Sequence, residues 1–149
     1  MTYKRILLCF DGSRASKKAA ISAGNLAELT GADIKALIVF DPNSIPAPFI
    51  GAPGAGIETA VDMGAYAHTV MDTIEGDLIK EYENSDIHYS VRREIGHPVD
   101  RIIAVAKDEN VDLIVLGRRG LGVEEEKILG SVSNGVLHLA HIAALVIPS

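Results

Sequence analysis

The chain has 149 residues, enough for one domain with its own core, and 48% hydrophobic with 23% charged residues is the composition of a globular protein and not of a disordered one. Fourteen Lys and Arg against 20 Asp and Glu leave a net charge of −6, which argues against a general nucleic-acid binder, because phosphate backbones are met by clustered cations. The one cysteine, Cys9, argues against an intramolecular disulfide framework and for a reducing cytoplasm, and the apolar run over residues 6–10 is too short for a signal segment or a membrane span.

Short β-rich runs alternate with helical patterns. Residues 5–10 form a first strand, followed by a helix whose apolar positions are Ala15, Ala19, Ala20, Ala23, Leu26 and Ala27 and which Gly31 can end. A second strand covers 34–40. The stretch 41–56 is rich in Pro, Gly and Ala and reads as a mobile loop within the domain. Ala60, Ala67, Val70, Met71, Ile74, Leu78 and Tyr82 mark a long amphipathic helix, with Met63 and Met71 as core residues. The run 87–94 is polar and reads as a sheet edge. Pro98 can open a third helix whose apolar face is Ile102, Ile103 and Ala106. A fourth strand covers 113–116. A fourth helix, over about 131–140, is expected to point Val132, Val136, Leu137 and Leu139 inward, before a last strand over 143–147.

Four of the five strand runs are nearly unbroken apolar stretches, as strands buried on both faces of a parallel sheet are. The alternation predicts an α/β sandwich with a mostly parallel sheet. In a doubly wound sheet ligands bind beyond the carboxyl ends of the strands. Two such ends stand out. After the fourth strand, residues 117–133 form a long connection with Gly117 and Gly120 at its start and Gly130 where the next helix begins. Glycines there allow positive φ and a close backbone approach to an anion; the free N–H groups of the helix start, with the hydroxyls of Ser131 and Ser133, can hold phosphate oxygens. The plainer alternative has the serines only capping the helix and the glycines only permitting turns. After the first strand, Asp11 can accept from a ribose hydroxyl or hold a hydrated Mg²⁺; the alternative is a cap for the first helix, made by Ser13 or Asp11.

Neither the Gly-Lys-Ser/Thr phosphate loop nor the Gly-x-Gly-x-x-Gly dinucleotide pattern occurs, since Glu125 stands where the third glycine would fall. His138 and His141, three apart on a helix, have no suitably spaced third ligand and read as surface histidines. Cys9, in an apolar strand, reads as a buried small hydrophobe rather than a nucleophile.

The spacing Gly117, two residues, Gly120, nine residues, Gly130 and Ser131 resembles the glycine motif of the universal stress protein family. Val132-Ser133-Asn134, the opening Asp11-Gly12-Ser13, the turn Gly96-His97-Pro98 and the closing Ala144-Leu145-Val146-Ile147-Pro148 resemble it too, so the likeness spans essentially the whole chain. The resemblance implies a single-domain sandwich with a five-stranded parallel sheet in the order 3-2-1-4-5. It implies ATP, or AMP or ADP, between the first and fourth strands, because members with this motif typically bind ATP. Carried over, the nucleotide contacts are Cys9, Phe10, Asp11, Val39, Leu116, Gly117, Arg119, Gly120, Gly130, Ser131, Val132 and Ser133, with Val39 meeting the adenine through its backbone. Glu124, Glu125 and Glu126 fit a triphosphate less well unless they face solvent or a divalent cation offsets them. The resemblance points to a stress-response or signalling module and a homodimer through the last strand, while the charge balance and the short apolar runs point to no nucleic-acid or membrane partner. A slow ATPase or autophosphorylating protein is the enzymatic alternative, and a dimeric scaffold with a vestigial loop is a third. Gly117→Asp is expected to abolish binding while leaving the fold intact.

Overall fold

The computed structural model describes residues 3–44, 60–118 and 130–149. Five strands, β1 (Arg5–Cys9), β2 (Asp33–Phe40), β3 (Tyr89–Ile95), β4 (Leu113–Gly117) and β5 (Ala143–Ile147), alternate with four helices. These are α1 (Arg14–Thr30), α2 (Ala60–Tyr82), α3 (Pro98–Asp108) and α4 (Ser131–Leu139). All strand pairs are parallel and the sheet order is β3-β2-β1-β4-β5. The chain leaves β1 toward β2 and returns to β4 on its other side, so the order reverses between β1 and β4.

The apolar runs form the central strands because helices cover both their faces. Ile6 and Leu8 join Ala19, Ala20, Ala23, Leu78 and Tyr82 in a core under α1 and α2, while Leu7 joins Ile102, Val105, Ile114 and Val136 in a second core under α3 and α4. The two sets alternate along β1, the period-2 signature of a strand. Met71 is buried with Ile38, Phe40 and Ala67, and Met63 packs against that cluster. The Tyr82 hydroxyl donates to the Ala20 carbonyl at 2.7 Å and pins α2 to α1. α1 ends where Gly31 turns to φ 75 and donates to the Ala27 carbonyl.

β3 is an edge, as its polar sequence predicts. Its side chains are tied down on both faces: Arg92 reaches Asp108 and Glu109 beside α3, and Arg93 reaches Asp72 and Glu75 on α2. Charged side chains of this kind blunt an edge against further pairing. β5, the opposite edge, carries the half-buried apolar residues Ala144, Leu145, Val146 and Ile147 and no such charges. In α4 the structure corrects the sequence reading: Val136 is buried, but Leu137 and Leu139 are 44% and 53% exposed. The helix is short and lies near the sheet margin, so the elements beside it cover only one side. Residues 42–44 of the Pro- and Gly-rich stretch form a 3₁₀ turn, and residues 45–56 lie outside the described segments.

Candidate functional site

The first wall of the site is built where β1 stops. Phe10 is buried and its N–H donates to the Leu37 carbonyl, which holds the chain to β2 for one more residue. Asp11 then leaves the sheet. Its Oδ1 accepts the Ser13 N–H at 2.9 Å, and Gly12 between them has φ 81, a left-handed value that favours glycine. Ser13 is the N-cap of α1: its Oγ accepts the Ser16 N–H at 3.2 Å. The Ser16 hydroxyl donates to the Ser13 carbonyl and accepts the Asp11 N–H at 3.3 Å. Of the two caps that the sequence left open, Ser13 is the one formed, and Asp11 braces it with a single carboxylate oxygen.

The second wall is the end of β4. Leu116 is buried in the core under α3 and α4, and Gly117 pairs with Ile147 of β5. A Cβ on Gly117 would stand 2.6 Å from the Ala15 Cβ and 2.8 Å from the Ala15 backbone carbon. Gly117 is therefore required by the start of α1 packing on β4. This corrects the expectation that a Gly117→Asp chain keeps its fold. Gly130 has φ −64 and Gly117 is not among the described residues with positive φ, so neither glycine is there for conformational freedom. At these two strand ends it is Gly12 whose positive φ calls for glycine.

The two described ends of the 117–133 segment are fastened to each other. The Arg118 N–H donates to the Ile147 carbonyl at 2.7 Å. The Arg118 carbonyl accepts both the Gly130 N–H at 2.8 Å and the hydroxyl of Ser133, which also approaches the Gly130 carbonyl. Ser133 is 2% exposed, so its one proton serves the protein. Arg119, Gly120 and the acidic run Glu124, Glu125 and Glu126 lie outside the described residues.

From this closed base α4 begins. Gly130 provides no side-chain cap, and the first helical bond is Asn134 N–H to the Gly130 carbonyl. The N–H groups of Ser131, Val132 and Ser133 precede the point where an α-helix satisfies its own donors. They carry the positive end of the helix dipole, and the Ser131 side chain is exposed beside them. Such a terminus suits an anion.

Cys9, Val39 and Val132 are half-buried on the α3 and α4 face, at the ends of β1 and β2 and the start of α4. They give the same margin an apolar component. Cys9 is thus less buried than its sequence suggests. Burial, and secondarily the Asp11 carboxylate, still pushes its thiol up to about 12, so it is protonated at neutral pH and a poor nucleophile.

Three features escaped sequence reasoning. Ser16 supports Asp11, and only its position three residues after Ser13 hinted at it. Ile74 and Asp77 of α2 come within 3.7 Å of where a Gly12 Cβ would be, and Asp77 lies 4.0 Å from Lys17 of α1. Arg118, through its backbone, joins the two described ends of the segment. A cleft of about 320 Å³ lined by Arg5, Asp33, Lys35, His88, Tyr89 and Glu109 lies at the opposite, amino-terminal margin of the sheet, away from all of these groups.

A parallel sheet whose order reverses between β1 and β4, with an acidic turn on one side and an uncapped helix start on the other, defines a doubly wound α/β protein, the class in which ligands bind at such a switch point. Residues 2–148 match the model of the universal stress protein family, and the chain belongs to that family. It is 30% identical over 151 aligned positions to a universal stress protein of Thermus aquaticus, covering 97% of this chain and 98% of that one. The solved structure of universal stress protein UspA from Lactobacillus plantarum is 26% identical, with a TM-score of 0.76 and 99% of each chain covered. A family structure from Archaeoglobus fulgidus in complex with dAMP has a TM-score of 0.65 at 19% identity, covering 99% of each chain. Another, in complex with cAMP, has a TM-score of 0.67 at 20% identity, covering 99% of this chain and 98% of that one.

Proposed function

We propose that this universal stress protein binds an adenine nucleotide in the crevice between the ends of β1 and β4 and acts as a stress-response or signalling module. The observation that carries the reading is the start of α4, uncapped and held against the end of β4 through Arg118 and Ser133. In this reading the N–H groups of Ser131, Val132 and Ser133, with the Ser131 hydroxyl, hold the phosphates. Asp11 takes a ribose hydroxyl through the oxygen not used by Ser13. Cys9, Val39 and Val132 border the base, and Phe10, Leu116 and Gly117 shape the floor. Gly130 sets the start of α4, and Arg119 and Gly120 complete the set by family resemblance.

The dAMP and cAMP complexes of the two neighbours support the adenine class. ATP is the favoured ligand because the chain has the spacing Gly117, Gly120, Gly130 and Ser131. Among the described residues no three His, Cys, Asp or Glu side chains form a metal set. An Mg²⁺ held by Asp11 would thus find no second and third such ligand grouped with it among the described residues, and phosphate and water are the ligands a nucleotide complex supplies. The half-buried apolar edge of β5 supports a homodimer through that strand. One test is mass spectrometry of the small molecules released from purified protein by acid. An adenine nucleotide in stoichiometric yield is expected, and a ligand of another class at the same yield would overturn the assignment.

A further inference from the structure

Gly135 is the fifth residue of a nine-residue helix, a place where glycine is unfavourable and a short helix has little to spare. The structure gives the reason for it. A Cβ on Gly135 would stand 2.7 Å from Cγ2 and 3.1 Å from Cγ1 of Val99, and 3.5 Å from its Cβ. Val99 is 7% exposed, in the first turn of α3, and its β-branched side chain has little rotamer freedom in a helix. The valine cannot swing aside, so a side chain at 135 must push α4 itself.

α3 is a fixed reference for that contact. The Gly96 N–H before it donates to the Phe40 carbonyl at the end of β2, and Arg101 on it bonds Glu94 of β3. Gly135 is only a turn away from the N–H groups of Ser131, Val132 and Ser133. We infer that the close contact of Gly135 with Val99 seats α4 and so aims its first N–H groups at the crevice, making Gly135 a positioning residue for nucleotide affinity. This rests on the function proposed above.

The experiment compares the full chain with Gly135→Ala, Val99→Ala and the double variant, using ATP as the probe in calorimetry. Gly135→Ala is expected to weaken ATP binding roughly tenfold, the scale of coupling between touching residues. Val99→Ala removes both close Cγ atoms, so the double variant is expected to return to within about threefold of the parent. Its melting temperature is expected to stay low, because Val99→Ala leaves a cavity whether or not the contact matters. Without the clash, Gly135→Ala would raise the melting temperature through helix propensity. Unchanged ATP affinity in Gly135→Ala, or a double variant as weak as the single one, would overturn the inference. A parent chain that binds neither ATP nor AMP refutes the nucleotide reading instead, and amide exchange then decides the seating alone. Faster exchange at the Gly130 N–H in Gly135→Ala, slowed again in the double variant, supports it; equal exchange in all chains overturns it.

Discussion

Gly117 at the end of β4 and Ala15 in the first turn of α1 are so close that a Cβ on the glycine would lie 2.6 Å from that of the alanine. The contact joins the two walls of the crevice, since α1 follows the Asp11 turn and β4 leads to Arg118. Its backbone side does not yield, because the Ala15 carbonyl carbon is also within 2.8 Å. Gly117→Ala should therefore cost about 1–3 kcal/mol of stability, as overpacked cores do. Urea denaturation measures this. A larger residue such as aspartate would disturb α1 before it met any phosphate.

Ser131 is the cleaner probe of ligand binding. Its side chain is exposed at the start of α4. Ser131→Ala should leave stability within about 0.5 kcal/mol while lowering affinity for a phosphorylated ligand in calorimetry. Equal affinity in both chains would remove Ser131 from the phosphate contacts.

Ser133 behaves differently although it lies two residues on. Its hydroxyl closes the base of the segment on the Arg118 carbonyl, which keeps the Gly130 N–H when the serine is lost. Ser133→Ala should cost about 1 kcal/mol, the net value of one hydrogen bond. A fall in the urea midpoint without a change in slope is the expected record.

The alkaline limb of the stability curve has two identified contributors. Burial and the Asp11 carboxylate raise the Cys9 thiol from 9.0 to about 12. Burial, followed by the charge of Glu81, raises the Tyr82 phenol above its ordinary 10.0. In both cases the folded chain holds its proton more tightly than the unfolded chain. Stability is thus complete below the unfolded pKa and falls as pH rises, from about 9 for Cys9 and about 10 for Tyr82. Cys9→Ala should flatten the first part of the decline and Tyr82→Phe the later part. Tyr82→Phe should also cost about 1 kcal/mol at neutral pH through the lost bond to the Ala20 carbonyl. Denaturation midpoints between pH 7 and about 11 check each slope.

The two edges of the sheet should differ in association. β3 is clamped by Arg92 and Arg93, whereas β5 shows a half-buried apolar margin. Light scattering at micromolar concentration should give a dimer, and a lysine at Val146 should shift it toward monomer. A monomeric parent chain would remove the β5 interface.

The central strands were legible because burial on both faces leaves an unbroken apolar run, as in residues 6–8 and 113–116. The edge character of β3 was legible from Arg92, Arg93 and Glu94 for the converse reason. The glycines were harder. Sequence marks where a side chain is missing and not whether it is missing for φ, as at Gly12, or for space, as at Gly117 and Gly135. The inward face of α4 was read too broadly, since Leu137 and Leu139 are as apolar as Val136 and only the neighbouring elements decide which is covered. The serines were ambiguous for a similar reason. A hydroxyl at a helix start can serve a ligand or the backbone, and Ser13 and Ser133 serve the backbone. Residues 119–129 lie outside the described segments, so Gly120 rests on motif spacing and Arg119 on family resemblance.

Calorimetric titration of the purified, nucleotide-stripped chain with ATP and Mg²⁺ tests the nucleotide assignment most directly. One site per chain is expected, weakened by added salt because phosphate–dipole attraction is screened, with competition by AMP or ADP. Absence of heat and of competition up to millimolar nucleotide would contradict it.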